Sequence, residues 1–227
     1  MIEEKKSTES VSLKVLVLYS VLFYAAWSAV HFYIEPFIDR KGNEVFSALV
    51  IEGLCKNLIW TLPAVILICK YKDSLYIGLK KMFTPNKDCI KYLWVFPVTA
   101  AYIILAVLKQ KGTIAISDSF GVHYIIVFIF VGITEEIVFR GWLLNSTLHI
   151  GEKKALAINA AMFLIIHFPK WIISGEFVKN MVSFSFVSIL MISVIFGLLF
   201  IRTKNILIPI FMHMLWDLLL FMWLCSH

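Results

Sequence analysis

The chain has 227 residues, of which 60% are hydrophobic and 16% are charged, and its formal net charge is +6. Soluble domains are about 45–50% apolar and about 25% charged, so this composition excludes an ordinary soluble protein and indicates a polytopic membrane protein. The basic residues are scattered through short connections rather than clustered on one polar face. We therefore expect a lipid bilayer as the surrounding partner and no nucleic acid.

Seven apolar runs follow one another along the chain, each close to the roughly 20 residues that a membrane-spanning helix needs. We expect an all-α fold, a polytopic membrane helix bundle of about seven transmembrane helices around an interior cavity. Residues 1–227 would form a single integral-membrane domain. The runs cover residues 13–32, 46–69, 91–108, 122–145, 155–173, 182–201 and 206–224.

The basic residues between these runs predict the orientation, because cytoplasmic loops carry an excess of lysine and arginine. A cytoplasmic N-terminus places Lys81 and Lys154 inside and Lys111 outside, and it leaves the larger share of the basic residues on the inner side. We therefore predict a multi-pass protein of the cell membrane with a cytoplasmic N-terminus. The polar segment 70–91 has apolar residues interleaved with lysines, which predicts an amphipathic stretch lying in the inner headgroup layer.

Six ionisable side chains interrupt three of the last four apolar runs. A charge at the centre of a span costs roughly 2.5–3.5 kcal/mol, so each such residue needs either a compensating partner or a function. The six are Glu135, Glu136, Arg140, His167, His213 and Asp217.

A purely structural interpretation pairs Glu136 with Arg140, one helical turn apart, and lets the histidines hydrogen-bond between helices. One arginine cannot neutralise Glu135, Glu136 and Asp217 together, so this interpretation is incomplete. A glutamate and two histidines from different helices can instead hold and deprotonate a water or ligate a metal ion. Both arrangements are hydrolytic centres.

Three motifs lie in order within apolar runs and together resemble the CPBP family, the CAAX proteases and bacteriocin-processing enzymes of Abi type. The resemblance covers residues 131–217, which would be a CPBP-like catalytic core. The motifs read EEIVFR (135–140), FLIIH (163–167) and HMLWD (213–217).

The resemblance implies an intramembrane endopeptidase with its catalytic cavity inside the helix bundle. The substrate would be a membrane-associated peptide or membrane-anchored protein, cleaved in bacteriocin, pheromone or CaaX-like processing, and we expect a bacterial membrane. One alternative is a non-enzymatic bacteriocin-immunity or scaffold protein that binds a peptide in the same polar cavity. A second alternative is a small proton-coupled transporter, since intramembrane ionisable residues also mark proton paths.

The chemistry of amide hydrolysis suggests a role for each polar group. A desolvated carboxylate is a better proton acceptor, so we assign Glu135 as the general base. His167 would hold the same water, and His213 would face the developing oxyanion. Because Asp217 lies one turn from His213, an ionised Asp217 would accept a hydrogen bond from that imidazole, whereas a protonated one would donate to the oxyanion.

The remaining two motif residues are assigned to the same site. Glu136 would form a salt bridge with Arg140, which is structural support that aims Glu135 inward. We prefer a mechanism with no cofactor and no metal, since the HExxH signature is absent and Arg140 opposes a dication. The alternative is a zinc ion held by Glu135, His167 and His213.

Overall fold

A computed structural model describes residues 10–40 and 42–224, and every regular element in these ranges is helical. Six of the described helices are long and apolar enough to cross a membrane, and a shorter apolar helix follows them. This confirms the predicted all-α membrane bundle. In chain order α1 to α7 are Leu13–Asp39, Glu44–Lys70, Lys87–Lys111, Val122–Ile150, Glu152–Ile173, Ser185–Thr203 and Leu207–Trp223.

Residues 1–9, to which the orientation prediction assigns the cytoplasmic side, lie outside the described residues.

Large aromatic rings join α1, α2 and α4 in the centre of the bundle. The ring of Trp60 is fully buried and lies 4.8 Å from that of Phe23 and 4.6 Å from that of Trp27. Phe139 of α4 meets Phe23 edge to face at 6.0 Å. Within lipid, helices associate through close packing rather than through the hydrophobic effect, so these rings supply much of the contact.

Two glycines allow helices to cross at short range. A Cβ atom on Gly132 of α4 would lie 2.6 Å from Cγ of Met214 and 3.3 Å from the carbonyl oxygen of Ile210, both on α7. A Cβ atom on Gly197 of α6 would lie 2.6 Å from Cδ2 of Leu156 on α5. The close crossing of α4 and α7 brings the first and third motifs together.

Several of these helices contain π-helical turns, in which the backbone bonds span five residues and the side chains leave the regular register. One such turn, Ile137–Leu144, begins directly after the two glutamates of α4. In α2 the turns Leu49–Cys55 and Asn57–Thr61 lie on either side of Lys56. Carbonyl groups near these turns accept hydrogen bonds from side chains. For example, Nδ2 of Asn57 donates to the carbonyl oxygen of Gly53 at 2.7 Å.

The connection between α2 and α3 turns several of its apolar side chains into the bundle, and its position relative to the headgroup layer stays a prediction. Leu75, Ile77 and Met82 are buried inside the bundle. The side chain of Asn145, on α4, accepts from the backbone N–H of Ile77 at 2.7 Å and donates to its carbonyl oxygen at 2.9 Å. The lysines at 72, 80, 81 and 87 remain exposed.

Candidate active site

Glu135 lies near the middle of α4 and is almost fully buried, at 6% exposure. Its Oε1 atom accepts a hydrogen bond from Nζ of Lys56 on α2 at 2.8 Å. Its Oε2 atom lies 3.9 Å from Nε2 of His213 on α7. The two oxygens of one carboxylate therefore face different groups, a fixed cation on one side and an imidazole on the other.

Glu136 is completely buried and joins two helices through a single oxygen. Its Oε1 atom accepts from the guanidinium of Arg140 at 2.9 Å and from Nδ1 of His213 at 2.8 Å. An ionised carboxylate paired with arginine can only accept, so Nδ1 of His213 carries the proton. Glu136 thus orients the imidazole, and it lies outside the lining of the cavity described below.

Arg140 is fully buried between α4 and α6. Besides Glu136, it donates to the carbonyl oxygen and the hydroxyl of Ser193 at 3.0 and 3.2 Å. Its guanidinium lies 4.8 Å from the ring centre of Phe163 and 5.6 Å from that of Phe196. These contacts hold the arginine between α4 and α6, next to Glu136.

His167 lies at a break in α5, and the break follows from the residue two positions later. Pro169 has no backbone N–H, so the ladder of helical bonds is interrupted and a new turn begins at Phe168. Nδ1 of His167 donates to the carbonyl oxygen of Phe163 at 3.0 Å. Nε2 of the neutral ring therefore carries a lone pair that can accept a proton or a hydrogen bond from water.

Asp217 is near His213 but is not its hydrogen-bond partner. Its Oδ2 atom lies 3.6 Å from Nε2 of His213, which is longer than a hydrogen bond, and the partner of the imidazole is Glu136 instead. The expected contact between His213 and Asp217 is therefore present as an ion pair at 3.6 Å rather than as a hydrogen bond. The reason is that Nδ1 points to Glu136, which leaves Nε2 between the carboxylates of Glu135 and Asp217.

A cavity of about 230 Å³ joins these groups. Glu135, His167, His213 and Asp217 all contribute to its wall, so the structure brings together four of the six residues singled out in the sequence. The other two, Glu136 and Arg140, lie behind the wall. The apolar part of the lining consists of Val131, Phe163, Ile189, Ile192, Trp216 and Phe221.

The donor set does not fit a three-ligand zinc site in this arrangement. Among residues 10–40 and 42–224, no three histidine, cysteine, aspartate or glutamate side chains converge as metal ligands. The oxygen Oε1 of Glu135 is also already bound by the ammonium group of Lys56. A dication on this carboxylate would lie close to a fixed positive charge, which opposes binding.

Three further residues of this region, Lys56, Glu52 and Ser193, are not among those that the sequence singles out for the site. Glu52 accepts from Nζ of Lys56 at 2.8 Å, so this lysine joins a glutamate on its own helix to Glu135. The signal is present in the sequence, since Glu52 and Lys56 are charges four residues apart within an apolar run. Ser193 is a small residue in an apolar run, which indicates helix packing, and it is also an acceptor for Arg140.

The comparisons with known proteins agree with the arrangement of these motifs. Residues 117–219 match the family model described as type II CAAX prenyl endopeptidase Rce1-like, and this range includes all three motifs. No curated protein and no solved structure matches the chain closely enough to count as similar. Residues 117–219 therefore carry a domain of the Rce1-like type II CAAX prenyl endopeptidase family, within a multi-pass membrane protein.

Proposed function

We propose that this chain is an intramembrane endopeptidase that hydrolyses a peptide bond of a membrane-associated peptide or protein with a water activated by Glu135. The observation that carries the proposal is the 3.9 Å separation between Oε2 of Glu135 and Nε2 of His213, within a cavity that His167 also lines. The gap is too long for a direct hydrogen bond and suits a bridging water. A water takes up about 30 Å³, so the cavity has room for it and for a peptide group.

In the first step the water attacks the carbonyl carbon of the substrate while Oε2 of Glu135 takes its proton. Nε2 of His167 accepts a hydrogen bond from the same water and orients its lone pair. The product of this step is a tetrahedral intermediate with a negative oxygen and a protonated Glu135.

His213 is the group that faces this oxyanion. Its Nδ1–H donates to Glu136, so a donor at Nε2 requires the imidazolium form, which the nearby carboxylate of Asp217 stabilises. When the C–N bond breaks, Glu135 returns its proton to the leaving amine. The step yields one carboxylic acid and one amine and regenerates the carboxylate base. We propose that no metal ion takes part.

The substrate is proposed from the location and the lining of the cavity. The apolar wall lies among membrane helices, which favours a peptide that is anchored in or inserted into the bilayer. A bacteriocin or pheromone precursor and a lipidated CaaX terminus both have this property. We favour a short membrane-bound peptide over a prenylated protein as the natural substrate.

The function is tested with the purified chain in lipid nanodiscs and internally quenched peptides, each made with and without a farnesyl group. Wild-type protein should cleave at least one of these peptides, and Glu135→Gln should abolish cleavage while retaining peptide binding. Glu44→Gln is the matched control, because Glu44 is exposed and pairs with His123 away from the site. Mass spectrometry of peptides in membranes with and without the protein would then identify the natural substrate.

The same variant separates the enzyme from a non-enzymatic immunity or scaffold protein. A scaffold would retain its biological effect after Glu135→Gln, and its peptide partner would remain uncut with wild-type protein. Cleavage by Glu135→Gln at the wild-type rate would contradict the glutamate-activated water.

A further inference from the structure

We propose that Lys56 is a positioning residue of this site: it binds one oxygen of Glu135, turns the other oxygen toward the cavity, and keeps the carboxylate charged. This inference rests on the proposed function. Lys56 lies on α2, outside residues 117–219 that match the endopeptidase family, and it has no place in the three motifs.

The surroundings of Lys56 hold its ammonium group in one place. The residue is 3% exposed, and Nζ lies 2.8 Å from both Oε2 of Glu52 and Oε1 of Glu135. The rings of Trp27 and Trp60 lie 5.5 and 4.6 Å from the same nitrogen. Two carboxylates and two aromatic faces leave a flexible lysine with little freedom to move.

The charge balance around Glu135 depends on this lysine. Among the described residues around the site, the other permanently charged cation is Arg140, and it is bound to Glu136 rather than to Glu135. A buried carboxylate without a cation binds a proton more readily, and a protonated Glu135 cannot accept one from water. The charged and titratable groups around this carboxylate are Glu52 and Lys56 on α2, Glu136 and Arg140 on α4, His167 on α5, and His213 and Asp217 on α7.

The geometric role has a separate consequence. Because Lys56 binds Oε1, Oε2 is the oxygen that faces His213 and the cavity, and this contact restricts the side-chain torsions of Glu135. A base that can rotate samples unproductive orientations, and misplacement by about 1 Å can reduce a rate about 10²-fold. Loss of the lysine should therefore affect kcat more than KM.

The kinetic test compares Lys56→Met, Lys56→Arg and the control Lys91→Met on the quenched peptide that wild-type protein cleaves. Lys91 forms an exposed pair with Asp88, so its loss removes a lysine and an ion pair far from the site. We expect Lys56→Met to lower kcat about 10²-fold, with an unchanged KM and with the acid limb of the pH profile moved to higher pH. Lys56→Arg should recover part of the rate. A wild-type pH profile and kcat in Lys56→Met would overturn the inference.

An infrared measurement tests the same point without turnover. Lys56→Met should show a stronger protonated carboxyl band at neutral pH than wild-type protein. The double variant Lys56→Met/Glu135→Gln should lose the part of this increase that belongs to Glu135, and any remaining part belongs to Glu52. Should Lys56→Met not fold, Lys56→Gln keeps a donor without the charge and serves the same comparison. Identical bands in wild-type and variant protein would refute the role of Lys56, whereas cleavage by Glu135→Gln alone would refute the proposed function.

Discussion

Nδ1 of His213 lies 2.8 Å from Oε1 of Glu136, the same oxygen that accepts a hydrogen bond from Arg140. One buried carboxylate therefore fixes an imidazole on α7 and a guanidinium on α4. Its companion Glu135 is one residue earlier on the same helix and faces the cavity instead. The two adjacent glutamates thus have different roles. Glu136 supports the site from behind the cavity wall, and Glu135 is the proposed base.

Glu136→Gln should destabilise the protein strongly, because it removes the negative charge from the buried Arg140. Breaking a buried pair costs roughly 3–5 kcal/mol, measurable as a lower free energy of unfolding in detergent. Glu176→Gln is a matched control, since Glu176 forms an exposed pair with Lys179, and exposed pairs contribute about 0–1 kcal/mol. Equal losses in the two variants would contradict the structural role of Glu136.

Asp217→Asn should retain cleavage, because an amide can donate a hydrogen bond to the oxyanion beside Nε2 of His213. Asp217→Ala removes both the charge and the donor, and loss of one oxyanion contact costs about 10²–10³ in rate. The measurement is kcat for the two variants on one cleavable peptide. If Asp217→Ala cleaves as fast as wild-type protein, Asp217 is a packing residue.

Gly132→Ala should move α4 away from α7, since the added Cβ atom would meet Cγ of Met214 at 2.6 Å. Overpacking of this kind costs about 1–3 kcal/mol in the free energy of unfolding, and it also separates Glu135 from His213. Gly78→Ala is the control, because a Cβ atom added at Gly78 would meet no atom within 4 Å. Both variants should be compared by thermal unfolding and by turnover. A loss of stability in Gly78→Ala as large as that in Gly132→Ala would contradict the close crossing of α4 and α7.

Cysteine labelling in intact cells tests the predicted orientation. After replacement of the native cysteines, single cysteines at Lys81 and Lys154 should react only with reagents that reach the cytoplasm. A cysteine at Lys111 should react with an impermeant reagent from outside, since all three positions are exposed. The opposite labelling pattern would contradict the predicted orientation and show that the N-terminus lies outside.

Chelation tests the proposal that the reaction needs no metal. Incubation with a strong zinc chelator should leave cleavage unchanged, and metal analysis of the purified chain should find zinc well below one ion per protein. Activity that is lost on chelation and restored by added zinc would favour the alternative site on Glu135, His167 and His213.

The helical bundle and the three motifs could be predicted from the sequence because both depend on local patterns. Long apolar runs specify spans, and charges at helical spacing within them mark residues that share a face. The same reasoning does not reveal the role of Lys56, since its contact with Glu135 joins positions 79 residues apart and depends on how α2 packs against α4. The spacing of Glu52 and Lys56 is the available signal.

The structure differs from the sequence-based prediction in two further respects. The hydrophobic periodicity of the sequence does not reveal the physical cause of either difference. The π-helical turns of α2 and α4 change the register of the side chains, whereas a helical pattern in a sequence assumes a period of 3.6 residues. The segment after α2 has an amphipathic sequence pattern, and this pattern is the same whether its apolar face contacts lipid or protein. In this chain the polar side chain of Asn145 binds its backbone and turns that face inward.

The contact between Asn145 and Ile77 also sets an order of assembly. The two residues are 68 positions apart, so the connection between α2 and α3 cannot close over the bundle until α4 has been synthesised and inserted. Met82 in the same connection accepts a backbone hydrogen bond from Ile206, which is made later still. The proposed active site is therefore completed only after α7, which carries His213 and Asp217, has been synthesised and inserted.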